Sequence, residues 1–284
     1  MREVKRILKA EKKKDIPYSM YIDTHTHLHH RRFDKDRKQV LEQMGAVGIQ
    51  AFLEVAMDLE SNAIMREKLR EAPMQVRFTA GVHPGAVEKL PEKPDEVLQQ
   101  IAAYLKDGNT VAVGEVGLDY CRADQAEIQA LQRVWFHRFI ELARTEKLPL
   151  VLHIRDAHED ALQILREHGS EHRGVVHCFQ GSWAEAEQYL KLGLYIGLGG
   201  LITREDKELE AVVRKLPPER ILLETDSPYV IPKPKTGRNT PANIPEIAER
   251  LADLRKTSVE EIMVATTENA RRLFEREAIA FMSK

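Results

Sequence analysis

The stretch Met20-Tyr21-Ile22-Asp23-Thr24-His25-Thr26-His27-Leu28 joins a short apolar run to two imidazoles spaced two residues apart. In an extended segment, side chains two apart point to the same face, so His25 and His27 can reach one point. The same order recurs along the chain: a short apolar run, a segment rich in His, Gly or acid, then a longer stretch with helical spacing. The runs fall at 21–24, 50–55, 76–82, 110–114, 148–152, 175–176, 194–198 and 221–223. Between them lie amphipathic stretches at 36–44, 59–70, 94–105, 125–145, 156–167, 183–191 and 206–215, the last stopped by Pro217-Pro218. Short Val/Ile/Leu runs suit strands buried on both faces. Eight strand–helix units in about 250 residues suit a (β/α)8 TIM barrel. A doubly wound open sheet would read similarly, and the linear pattern does not separate the two. No low-complexity linker interrupts residues 20–274, so we expect one α/β domain over 20–284, preceded by a basic extension over 1–19.

The ends of these runs carry the reactive residue types. Glu115 comes after 111–114, His153 after 149–152, His177 after 174–176 and Asp226 after 221–225. With His25 and His27, six nitrogen or oxygen ligand types sit at five strand ends, and a closed barrel would bring all six to its C-terminal rim. Divalent ions need that convergence, because imidazoles and carboxylates must meet at about 2 Å from one centre. Taken singly, His153 and His177 read as ordinary structural histidines, Glu115 as an ion-pair partner and Asp226 as a turn residue. Jointly they read as a metal site. Glu224 shares the inward parity of Asp226 and can orient a ligand histidine. His83, in Gly81-Val82-His83-Pro84, faces the same rim as a substrate-contact candidate. His29 and His30 either touch substrate or are exposed, while His137, His158, His168 and His172 read as packing or surface residues.

Composition narrows the class. The 284 residues carry 43 Lys and Arg against 45 Asp and Glu, a net charge of −2 with 11 His neutral. That balance excludes a polycationic nucleic-acid coat and an acidic disordered chain. It leaves room for an enzyme that grips nucleic acid locally. Two cysteines build no disulfide framework and suit a reducing, cytoplasmic setting. No apolar run approaches the roughly 18 residues of a membrane span, and residues 1–19 lack the apolar core of a secretory signal. No membrane association is expected, and a monomer is favoured.

With these residues in view, the chain resembles the TatD family of metal-dependent deoxyribonucleases, within the amidohydrolase-like TIM barrels, over about residues 21–274. The motifs are DTHTHL (23–28), GVHP (81–84), GEVGLDY (114–120), HIRDA (153–157), VVHCF (175–179), LETDSPY (223–229), RNTPANIPEIAERLA (238–252) and TTENARRLF (266–274). The resemblance implies a barrel rather than an open sheet. It also implies a two-metal phosphodiester hydrolase, acting as a 3′–5′ exonuclease on single-stranded DNA ends. By motif, His25, His27 and Asp226 would hold one divalent ion (Zn²⁺, Mg²⁺ or Mn²⁺), His153 and His177 the second, and Glu115 would bridge them. His83 and Arg155 match positions associated with substrate phosphate. We expect Asp226 to take the proton from the attacking water.

Two departures lie in rim loops: His29-His30-Arg31-Arg32 ahead of Phe33, and Arg238-Asn239-Thr240-Pro241 where the family usually has RNEP. They bear on substrate preference, leaving DNA, RNA or an aminoacyl-tRNA as partners. The basic segments 31–32 and 233–238 could hold a strand. The alternative activity is hydrolysis of a carboxylic ester or amide, such as D-aminoacyl-tRNA deacylation. A barrel that only binds a partner would be expected to show broken ligands, and all six stand.

Overall fold

Backbone hydrogen bonds between the first and last strand regions decide between barrel and open sheet. The computed structural model describes residues 20–90 and 93–275; the expected basic extension lies outside the described residues. Eight strands run in chain order: β1 (Tyr21–Thr26), β2 (Ile49–Glu54), β3 (Gln75–Ala80), β4 (Thr110–Asp119), β5 (Leu150–Arg155), β6 (Gly174–Val176), β7 (Tyr195–Leu198) and β8 (Ile221–Leu223). Each pairs in parallel with the next. Beyond β8 the chain turns back on β1, where Asp226 N donates to His25 O, His27 N donates to Ser227 O, and Thr26 bridges Ser227. The sheet therefore closes, and the architecture is the expected (β/α)8 barrel.

The intervening helices are α1 (Arg37–Ala46), α2 (Leu59–Lys68), α3 (Pro94–Leu105), α4 (Ala126–Glu146), α5 (His158–Glu167), α6 (Trp183–Lys191) and α7 (Lys207–Lys215). These fall where the amphipathic stretches predict them. Two more, α8 (Ile244–Arg255) and α9 (Val259–Phe274), follow β8. Hydroxyl and carboxylate caps start several of them. Reciprocal capping boxes join Asp58 to Ser61, Ser182 to Glu185 and Ser258 to Glu261, and Asp206 caps α7. Among the described residues, no helix is long and apolar enough to cross a membrane.

Packing separates the barrel into a dry floor and a polar mouth. Ile22, Val111, Val151, Val175 and Leu222, all near the starts of their strands, pack with Ala270, Leu273 and Phe274 of α9. This apolar plug fills the N-terminal end of the barrel, as expected for a packed core rather than a pore. The polar residues of the motifs collect at the other end, beyond the plug.

The structure also corrects some boundaries. β4 runs ten residues, to Asp119, so Glu115 lies within the strand rather than after it. Its register against β5 slips between Gly114 and Val116. His25 and His153 likewise fall inside β1 and β5. In each case backbone pairing continues after the apolar pattern has given way to polar residues.

Gly117 shows how tightly this region is built. Its φ is +138°, and a Cβ there would lie 2.2 Å from the carbonyl oxygen of His153. Gly117→Ala should cost about 3 kcal/mol through backbone strain and overlap, lowering the melting temperature by roughly 6–12 °C, as thermal unfolding by circular dichroism would measure.

Candidate metal centre

Five strands deliver the predicted residues to the mouth, and Glu115 stands at their middle. One carboxylate oxygen, Oε2, lies 3.4 Å from His25 Nε2 and 3.7 Å from His27 Nε2. The other, Oε1, lies 2.8 Å from both His153 Nδ1 and His177 Nε2. Asp226 closes the first group, its Oδ1 being 3.4 Å from His27 Nε2 and 3.8 Å from His25 Nε2. All six residues thus come together. All are buried except His153, whose side chain is 17% exposed.

The donor chemistry fits divalent cations. His27 Nδ1 lies 2.9 Å from the Val55 carbonyl, so it must donate, and neutral His27 keeps a bare Nε2 aimed at the cluster. That Nε2 faces His25 Nε2 at 3.2 Å, where two lone pairs or two protons would repel. Between His25, His27 and Asp226 the donor atoms are 3.2–3.8 Å apart, close to the roughly 3.4 Å edge of a tetrahedral shell with bonds of about 2.1 Å. A second group, His25, Glu115 and His177, also has its ligand atoms within 4.8 Å of one another, as do His83, Glu115 and His153. Without a cation these groups share protons. Burial raises Glu115, but the surrounding imidazoles, His177 first, outweigh it and hold the carboxyl well below its usual range. Burial lowers His177, yet Glu115 outweighs that and carries it well above the ordinary imidazole value.

His83 sits differently. Its Nδ1 accepts the Gly85 N–H at 2.9 Å, so the proton of the neutral ring is on Nε2, 3.7 Å from Glu115 Oε1. Burial pushes its pKa down to about 3, keeping the ring neutral. In that tautomer the N–H is aimed into the mouth as a donor. Arg155 lines the same cavity of about 200 Å³, as do Arg122 and Tyr229. Among the described residues, the Arg155 guanidinium has no hydrogen-bond or ion-pair partner.

Carboxylates stand behind two of the histidines. Glu224 Oε1 lies 3.7 Å from His177 Nδ1 and accepts the Cys178 N–H, as its parity predicts. Asp119, which the sequence pattern does not single out, is fully buried with Oδ2 3.3 Å from His153 Nε2. Its signal was visible, since Asp119 is four residues from Glu115 on one strand and so on the same face. Ending that strand at Gly114 hid it. Glu54, also not singled out, lies buried under the His27–His29 segment.

Outside the cluster, His29 is buried and bonded to Glu54, and His30 stands beside the Tyr229 ring. His137 pairs with His168 on the outer helices, His172 is buried against the Leu165 carbonyl, and His158 contacts the Tyr189 hydroxyl. Cys121 and Cys178 are free thiols. The 233–238 segment is less available to a strand than its composition suggests. Arg238 forms a two-pronged pair with Asp36 at 2.9 and 2.6 Å, and Lys235 is bound to Glu246 and Asn243. Those acids lie on neighbouring elements and cannot be seen from local charge.

A closed barrel with this cluster at its C-terminal mouth has the layout of a metal-dependent hydrolase. The TatD related DNase family profile matches residues 22–275, and the chain belongs to that family. YabD of Bacillus subtilis (strain 168), described as an uncharacterized metal-dependent hydrolase, is 35% identical over 258 residues, covering 90% of this chain and 99% of YabD. A protein of Rahnella sp. (strain Y9602) named 3′-5′ ssDNA/RNA exonuclease TatD is 35% identical over 255 residues, covering 86% and 94%. The crystal structure of the TatD homolog YJJV from Escherichia coli K12 superposes with a TM-score of 0.82 at 30% identity, covering 91% and 99%.

Proposed function

We propose that this protein is a 3′–5′ exonuclease acting on single-stranded DNA ends with two divalent ions. The observation that carries this reading is the division of Glu115, whose two oxygens face two separate groups of ligands. One ion would be held by His25, His27 and Asp226, the other by His153 and His177, with Glu115 shared. When bound, such ions would supply positive charge to neutralise the phosphodiester, acidify a water and stabilise the leaving oxygen. Asp226 accepts the water's proton. His83 donates its Nε2–H, and Arg155 its forked guanidinium, to phosphate oxygens. Asp119 and Glu224 fix the ring orientations of His153 and His177. The nucleic-acid class is supported by the Rahnella relative's name. The cavity of about 200 Å³ suits one end of a strand rather than a duplex. The chain's charge of −2 likewise argues against wrapping a long polyanion, where affinity grows with the number of phosphate contacts.

The test is product analysis of 3′- and 5′-labelled DNA and RNA, with a D-aminoacyl-tRNA alongside, across Mg²⁺, Mn²⁺ and Zn²⁺. Stepwise loss of nucleotides from the 3′ end, stopped by EDTA, is expected. Release of the amino acid with DNA left intact would overturn the reading. Arg155→Ala should raise KM by roughly 10- to 100-fold, the value of a charge-assisted hydrogen bond. kcat should change little if the contact is equal in ground and transition states, and steady-state kinetics on a labelled oligonucleotide separates the two constants.

A further inference from the structure

Glu54 ends β2 at the C-terminal face of the barrel, where an acid would ordinarily suggest catalysis. Its contacts exclude that. Oε2 accepts the Thr26 hydroxyl at 2.8 Å and the Leu28 N–H at 2.9 Å. Oε1 accepts the His29 N–H and the His29 Nδ1–H, both at 2.6 Å. Four donors fill the acceptor sites of a carboxylate, leaving none for an ion or a substrate. All four come from residues 26, 28 and 29, on either side of His27.

The next residue completes the grip, since Val55 O accepts His27 Nδ1–H. From outside, Arg37 Nε donates to Leu28 O at 2.8 Å and Lys68 Nζ to His29 O at 3.0 Å. Asp34 ties these two cations together, at 2.5 and 2.8 Å. The end of β2 thus sets both the position and the tautomer of His27, and a buried carboxylate is a costly means unless that position matters.

We infer that Glu54 is a positioning residue for His27 and sets the affinity of the His25, His27 and Asp226 end of the cluster for a divalent cation. The His29 side chain is the companion half of the device. The proposal rests on the two-ion reading above. It goes further by making the two ends separable: Glu54 touches nothing on the His153 and His177 side.

The experiment titrates Mn²⁺ or Zn²⁺ into chelator-treated full-length protein by calorimetry, comparing wild type with Glu54→Gln. Gln keeps the shape but places an amide donor against N–H or O–H donors. One of two binding events should weaken by about 10- to 100-fold, the usual cost of losing a residue that orients a ligand. The other should keep its affinity. kcat at low metal should fall and recover as metal is raised, with KM for the oligonucleotide unchanged. His29→Ala removes one of the four bonds and should weaken the same event less, which keeps the test available if Glu54→Gln does not fold. Equal weakening of both events, or a lower melting temperature with both affinities intact, would show a general structural role and overturn the inference. A wild-type protein that binds no divalent ion would instead overturn the two-ion reading itself.

Discussion

Replacing Glu115 with Gln should lower turnover by at least about 10³-fold, because one substitution disables both halves of the metal cluster. Gln offers one acceptor oxygen where Glu115 offers two, and its amide nitrogen cannot ligate a cation. Whichever way it turns, neither side keeps an anion, and either the His25 and His27 side or the His153 and His177 side also loses its oxygen. Metal content per chain should fall below that of wild type, and circular dichroism should show a folded barrel, since the apolar floor is untouched. Full activity in a folded Glu115→Gln protein would sink the shared-carboxylate assignment.

The same variant has a pH signature in chelator. Glu115 is depressed well below its ordinary 4.5, so its contribution to stability is present above that value and lost as pH falls through the folded pKa. His177 is raised well above its ordinary 6.5, so its contribution is full below that value and lost as pH rises through the folded pKa. The metal-free wild type should therefore exceed Glu115→Gln in melting temperature most between about pH 4.5 and 6.5. A difference that stays flat from pH 3 to 9 would show that the two groups do not pair.

The barrel was legible because its strands alternate with amphipathic helices, and a period of that kind survives in a single sequence. The six clustered residues were legible because each lies within three residues of the end of an apolar run, so their sequence positions encode a common rim. What escaped was whatever depends on a partner far along the chain. Asp119 and Glu54 look like unremarkable strand acids until His153 and His29 are brought against them. Arg238 reads as a free cation until Asp36, some two hundred residues earlier, meets it. His83 lines the mouth, but which of its nitrogens carries the proton depends on the Gly85 N–H. Local pattern reports which face a residue is on, and only closure of the barrel reports what it meets there.

Asp226→Asn should cost about 10² to 10⁴ in kcat, the range of a positioned general base, with KM little changed. The substitution keeps an oxygen for the His25 and His27 group, so it separates proton transfer from ligation better than Ala does. With no cation bound, burial raises the pKa of Asp226, but the surrounding imidazoles, a protonated His27 first, outweigh burial and hold it below the ordinary carboxylate value. It is therefore ionised throughout the neutral range and able to take a proton, and any fall of wild-type kcat on the acid side should come first from protonation of the ligand imidazoles and loss of metal. Asp226→Asn should lose most of the rate across the whole neutral range, because the amide has no proton-accepting state. Metal content close to wild type, measured on the same preparation, would assign the loss to proton transfer. If the variant instead keeps most of its kcat, the base is elsewhere, and Asp226 serves only to hold the ion.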